Sequence, residues 1–173
     1  MDWCPLAWQK VISGMACFCG HKSALDVPRA LPEAEIVVLL TWIKRNAAPT
    51  GANVPRYTSE FIWILKKAPG LKWGNLKQTH FDIPLVSGAL ATERLRNDDG
   101  STAHPTQKPV LLLDEILNLA PSSVIDPFMG TGTTGVSCMK RGISFIGVEI
   151  REPYFKIACE RIENAQRQER LFA

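Results

Sequence analysis

Apolar and polar positions alternate along the chain in two rhythms, one of period two and one near 3.6. The densest apolar run, Glu35–Ile43 (Glu-Ile-Val-Val-Leu-Leu-Thr-Trp-Ile), is almost continuous in β-branched and large residues, so it predicts a strand deep in a sheet. Residues 59–65 predict a second strand, closed by Lys66 and Lys67 before Pro69 and Gly70 break the chain, and residues 15–19 a small apolar one. Trp3, Leu6, Trp8, Val11 and Ile12 fit a short amphipathic helix that Gly14 ends. Residues 21–31 predict another, opened by Ser23, interrupted near Pro28 and closed by Pro32.

The second half has a sharper rhythm. Residues 104–109 (His-Pro-Thr-Gln-Lys-Pro) lead into a helix over 110–119, with Leu111, Leu112, Ile116 and Leu117 as its apolar face and Pro109 suited to its first turn. Val124 and Ile125 form a short buried strand that ends at Asp126 and Pro127, followed by a loop with Gly130, Gly132 and Gly135 and a helix opened by Thr133 and Thr134. A strand over 144–148 ends in Glu149, and a helix over 152–167 carries Tyr154, Ile157, Ala158, Arg161 and Ile162 in register before a polar, frayed tail. Between the halves, residues 70–103 are rich in turn formers with no long element. Such a segment is a surface excursion or a recognition loop.

Strand, glycine loop, helix and strand make a nucleoside-binding half-site. The helix N-terminus faces whatever lies over the loop, and Glu149 stands where an acid accepts two hydrogen bonds from a ribose diol. The glycines satisfy the dinucleotide fingerprint, so a NAD-linked oxidoreductase is one reading. Asp126, Pro127 and Phe128 stand between strand and loop, however. A carboxylate there repels a pyrophosphate and attracts an ammonium or sulfonium group. A third reading takes the glycines as helix packing alone.

Composition changes this picture little. With 173 residues, 46% hydrophobic and 21% charged, the chain is an ordinary globular domain, and 20 basic against 17 acidic residues permit a polyanionic partner without demanding one. No apolar run reaches membrane-spanning length and no signal peptide leads the chain, so a cytoplasmic protein is expected. The five cysteines lie in apolar segments and read as reduced thiols. Cys17, Cys19 and His21 alternate like metal ligands, but no fourth ligand is near and no metal is expected. Lys44, Arg45, Arg56, Lys66 and Lys67 stand at the ends of two neighbouring strands, as solvated ends or as a rim that contacts phosphates. Thr106 and Lys108 either grip a carboxylate or belong to a helix-capping segment.

Three stretches together resemble the amino-directed DNA methyltransferases, the N6-adenine and N4-cytosine class: residues 104–109, residues 126–134 (Asp-Pro-Phe-Met-Gly-Thr-Gly-Thr-Thr), and Gly147-Val-Glu-Ile150 with Tyr154, Ala158 and Arg161. Trp42-Ile-Lys44, Arg56 and Glu60-Phe-Ile-Trp63 resemble that family's catalytic half, in the permuted order where this half comes first. The resemblance implies a single α/β domain with a doubly wound, mostly parallel, Rossmann-like sheet. Residues 1–69 would be part of the catalytic half, 70–103 a candidate recognition loop and 104–173 the cofactor half. It implies S-adenosylmethionine as cofactor, with Asp126 meeting its ammonium, Pro127, Phe128, Gly130 and Gly132 lining it, Glu149 holding the ribose, and Thr106 and Lys108 near its carboxylate. The partner would be double-stranded DNA with a base flipped out of the stack, adenine N6 ahead of cytosine N4, and the five basic residues above would contact its phosphates.

The chain departs from the family at one point. The Asp-Pro-Pro-Tyr-type loop, whose polar groups hold the target amine and whose ring stacks on the base, does not occur in it; Cys4-Pro5-Leu6 lacks both acceptor and ring. The expectation is that one central strand, between the strands of Val124 and Met15, is missing at the N-terminus. The chain would then be a truncated enzyme or an inactive SAM- and DNA-binding remnant. A cysteine nucleophile is not expected either, since Cys4 precedes a proline and no activating partner can be named.

Overall fold

The computed structural model describes residues 2–47, 56–67, 75–86, 93–96, 99–101, 103, 106–119 and 121–172, with side chains to 169. The expected loop over 44–56, the break at Pro69 and Gly70, and His104 and Pro105 of the first motif lie wholly or partly outside them. The chain divides into two compact units, Met1–Leu85 and Val86–Ala173.

In the first unit the elements are α1 (Trp3–Lys10), β1 (Gly14–Cys19), α2 (Asp26–Ala30), β2 (Glu35–Ile43), β3 (Ser59–Lys66) and β4 (His80–Asp82). The strands form one sheet in the order β1-β3-β2-β4. β3 runs antiparallel to both neighbours and β4 parallel to β2, so β1, β2 and β4 share one direction. Cys4 and Trp8, four residues apart on α1, pack with Val27, Leu31, Cys17 and Leu65 into a core on one sheet face. Leu6 and Ile12, expected on that apolar face, are exposed, because the buried stripe runs through Cys4 and Trp8. Two indole N–H groups tie distant segments to the strands: Trp42 donates to Ile83 O and Trp63 to Ala24 O, each at 2.6 Å.

β2 is central only at its C-terminal end. β4 pairs with Thr41, Trp42 and Ile43 alone, and Glu35, Ile36 and Val37 are exposed. The expectation of a strand deep in the sheet therefore holds for Leu40 and Trp42 and fails for the first rungs of the ladder, where a register shift also interrupts pairing between Ile36 and Val38.

The second unit contains α3 (Val110–Ile116), extended by one 3-10 turn, then β5 (Ser123–Asp126), α4 (Thr133–Lys140), β6 (Ser144–Gly147) and α5 (Glu152–Phe172). β5 and β6 are parallel and in register from Ser123↔Ser144 to Asp126↔Gly147. Val124 and Phe145 pack with Leu117, Cys138 and Ile143 on one face, while Ile125 and Ile146 on the other are exposed. Val110, Val136 and Ala165 join the three helices. α5 continues past the expected fray at 167 to Phe172. No glycine or proline interrupts it there, and Arg167 pairs with Glu163 one turn back.

Among the described residues β1 pairs only with β3 and β5 only with β6. None of the described helices is long and apolar enough to cross a membrane.

Gly135 is tightly packed: an added Cβ there would lie 2.7 Å from Phe145 Cε1 and closer still to Ile162 Cδ1. Gly135→Ala is expected to destabilise the second unit by roughly 1–3 kcal/mol, the usual cost of overpacking, read as a lower urea midpoint with unchanged slope.

Candidate functional site

The carboxyl ends of β5 and β6 bring two acids to the same edge of a parallel pair. Beyond the strands the ladder continues, with Val148 N–H donating to Asp126 O at 2.9 Å and Met129 N–H to Val148 O at 3.0 Å. The Asp126 carboxylate accepts from Phe128 N–H at 3.0 Å and from the Thr134 hydroxyl at 2.7 Å, so it fixes the turn that leaves β5 and lies by the first turn of α4. Negative charge is favoured at that helix end. Glu149 accepts from Gly130 N–H at 3.0 Å through one oxygen and from Arg151 N–H at 2.9 Å through the other. Both acids are half-buried, and each oxygen accepts a single donor. An ionised carboxyl oxygen has room for a second.

The glycines divide by role. Gly130 (φ 54°) and Gly132 (φ 80°) both turn through the left-handed region. At Gly132 a Cβ would also lie 2.9 Å from Ala158 Cβ and 3.0 Å from its Cα, so the loop closes directly on the α5 backbone. Gly147 is crowded by Met129 and Phe145 and Gly135 by Ile162 and Phe145. Gly132, Gly135 and Gly147 are packing glycines. Gly130, which gives its amide to Glu149, lies nearest the acids.

The remaining candidates of this unit flank that edge in sequence. Phe128 is 60% exposed and Pro127 half-buried. In the lead into α3, Thr106 is exposed, Gln107 buried and Lys108 half-buried. Sequence reasoning assigns Gln107 no role, yet its side chain accepts from Leu95 N–H at 3.2 Å and donates to Glu93 O at 2.7 Å. Glu93 in turn caps α3 by accepting from Val110 N–H at 3.0 Å.

In the first unit the five basic candidates do not form one rim. Antiparallel pairing sets Ile43 opposite Ser59 and Glu35 opposite Lys66. Lys44, Arg45 and Arg56 therefore stand at one end of the sheet and Lys66 and Lys67 at the other, roughly 23 Å away at the usual rise per strand residue. Only the first group shares the carboxyl ends of β1, β2 and β4. Lys44 is 8% exposed, donates to Glu60 at 3.0 Å and lies 5.5 Å from the Trp42 ring. Arg45 is forked onto Asp82, Lys66 pairs with Glu35 at 3.3 Å, and Lys67 donates to Trp8 O at 2.7 Å. Arg56 is exposed.

At that same end His21 Nε2 lies 3.1 Å from Ser59 Oγ, with its ring 5.4 Å from Tyr57 and 4.9 Å from Phe61. Cys17 and Cys19 are buried within β1, and burial, with Cys4 and Cys19 adding to it, pushes the Cys17 thiol up to about 12. Among the described residues no cluster of His, Cys, Asp and Glu is arranged to hold a metal.

A family model described as DNA methylase, of the N6/N4 class, matches residues 33–160. The chain belongs to the N6/N4 DNA methylase family. It is 40% identical over 134 residues to the type II methyltransferase M.HinfI of Haemophilus influenzae and 44% identical over 135 residues to M2.DpnII of Streptococcus pneumoniae. These alignments take in 70% and 72% of the chain but only 37% and 50% of the relatives' lengths. Among solved structures, the M1.HpyAVI–SAM complex superposes with a TM-score of 0.73 at 28% identity, over 93% of this chain and 80% of that one. The cytosine-N4-specific PvuII DNA methyltransferase shares the fold, with a TM-score of 0.69 at 15% identity over 90% and 69%. The α/β class expected from the sequence is thus that of the family's solved members.

Lys44 and Glu60 both fall within the span that the family model matches. Glu60→Ala leaves a buried ammonium without its carboxylate and is expected to cost roughly 1–3 kcal/mol of stability, whereas Arg56→Ala should stay within about 0.5 kcal/mol. Urea denaturation of both variants checks the contrast.

Proposed function

We propose that the chain binds S-adenosylmethionine through its second unit and belongs to an enzyme that methylates the exocyclic amine of a base in duplex DNA, adenine N6 ahead of cytosine N4. The observation that carries this reading is the pair Asp126 and Glu149, side by side at the carboxyl edge of β5 and β6 and each with accepting capacity left. A carboxylate at the mouth of the loop suits the ammonium of an amino acid and opposes the pyrophosphate of NAD. The two oxygens of Glu149 suit a vicinal diol. In this reading Phe128 and Pro127 give the cofactor apolar contact, Gly130 lets it approach, and Thr106 and Lys108 take its carboxylate. Gly132 contributes through loop shape. When bound, the cofactor supplies an electrophilic methyl group on a sulfonium.

Residues 1–173 then make one methyltransferase domain, with 1–69 in the catalytic half, 70–103 as the segment that reads DNA and 104–173 as the cofactor half, working in the cytoplasm. The base is presented by flipping, since its amine is not accessible in the stack. Arg56 and Arg45 are the phosphate contacts of choice, with Lys44 held behind them by Glu60; Lys66 and Lys67, at the far end of β3, are left out. The chain contains no Asp-Pro-Pro-Tyr-type tetrapeptide to accept hydrogen bonds from the target amine. A second reading is therefore that these 173 residues bind cofactor and DNA without by themselves transferring methyl groups.

Calorimetric titration with S-adenosylmethionine, with NAD as control, tests the first claim. Binding that Asp126→Ala and Glu149→Ala each weaken by at least tenfold is expected, and binding of NAD in its place would overturn it. Transfer of labelled methyl groups to duplex DNA, with nucleoside analysis of the product, separates enzyme from binding module and adenine from cytosine. Arg56→Ala is expected to lower the salt dependence of DNA binding by about one unit of slope.

A further inference from the structure

The acids at the mouth of the loop carry the cofactor reading, and the role of the group beneath them rests on that reading. Thr131 and Thr133 are buried, 3% and 6% exposed, and flank the left-handed turn at Gly132. Two buried polar residues around a reversed backbone require donors on the inner side. One residue of α5 supplies them. Arg161 Nη1 donates to Thr131 O at 2.6 Å and lies 3.4 Å from both Thr131 Oγ1 and Thr133 Oγ1. Ala158, three residues earlier on the same helix face, is the residue on which Gly132 closes.

We infer that Arg161 is the positioning residue of the cofactor loop. It fixes the Thr131–Thr133 turn from inside while Glu149 and Asp126 hold Gly130 and Thr134 at its two ends. The oxygens it meets there belong to the loop, so it shapes the site through Gly130 without being a ligand-binding group. Without Arg161 the loop stays tethered at both acids but loses its central anchor. The bound form must then be selected from several, and affinity falls by the fraction that is competent.

A single guanidinium nitrogen, Nη1, meets all three oxygens, held in place by a rigid planar group, whereas a lysine ammonium would have to reach them from a flexible stem. Burial draws the Arg161 value down from its ordinary range and the Glu93 carboxylate opposes that shift. Glu93 is itself fixed by capping α3 and by Gln107. An acid of the segment that precedes the first motif thus partly offsets the cost of burying the clamp's charge.

The test uses Arg161→Gln and Arg161→Lys in the full chain, with Arg167→Gln, an exposed position on the same helix, as control. Amide hydrogen exchange without ligand should accelerate at least tenfold over residues 130–133 in Arg161→Gln while β5 and β6 stay protected, and Arg161→Lys should fall between. Titration with S-adenosylmethionine should show a dissociation constant raised about 10- to 100-fold for Arg161→Gln and less for Arg161→Lys, with Arg167→Gln unchanged. Unaltered exchange at residues 130–133 overturns the inference, whatever the cofactor does. Accelerated loop exchange in a chain that binds no S-adenosylmethionine sinks the cofactor reading and leaves the clamp standing. Should Arg161→Gln fail to fold, Arg161→Lys carries both measurements, and wild-type exchange and affinity in that variant would overturn the clamp.

Discussion

The contact between Gly132 and Ala158 is the constraint on which the second unit depends. A left-handed turn pressed against a helix backbone leaves no space for a side chain, so the loop and α5 approach to a distance that only glycine and a small partner allow. That approach delivers Arg161 to the threonine oxygens and sets Ile162 against Gly135. α4 is held in turn between α3 and α5, and the register of β5 and β6 depends on the side chains packed on their inner face. A change at this one contact is felt along the whole strand-loop-helix unit, because close-packed interiors have few ways to relax.

The same acids serve the fold and the proposed ligand. Asp126 orders the turn after β5 and the first turn of α4; Glu149 ties Gly130 to the start of α5 through Arg151. A carboxylate already held by one donor per oxygen is oriented before a ligand arrives. Little side-chain freedom is then left to lose on binding, which is the physical meaning of a preorganised site. In the proposed reading, substituting either acid removes a ligand group and loosens the loop together, so affinity and local order would be coupled in this unit.

The first unit shows how topology redistributes charge that looks clustered in sequence. Lys44 and Arg45 follow β2 and Lys66 and Lys67 close β3, so along the chain they form two basic strand ends. Because β3 runs against β2, those ends are opposite ends of the sheet. Glu60 on the facing strand then takes up Lys44, and Trp8, brought in by α1, takes up Lys67. The aromatic surroundings of His21 arise the same way, from a residue after β1 meeting Tyr57, just ahead of β3, and Phe61 within it.

Local pattern determined much by itself. The strands and helices of the second unit, the strand Glu35–Ile43, the strand before Lys66, the positions of the acids Asp126 and Glu149 after their strands and the family itself were legible, because each is written in neighbouring residues: periodicity, a glycine turn, an acid closing a strand. The short β4 was not, since three residues carry too little pattern and become a strand only by pairing with Thr41–Ile43. Nor were the inward anchor Gln107, the packing contacts of Gly132, Gly135 and Gly147, the partners of the lysines or the clamp at Arg161. Those depend on which residues distant in sequence come within a few ångströms of one another. Strand direction and helix docking decide that, and both are settled by the burial of whole faces rather than by any local stretch of chain.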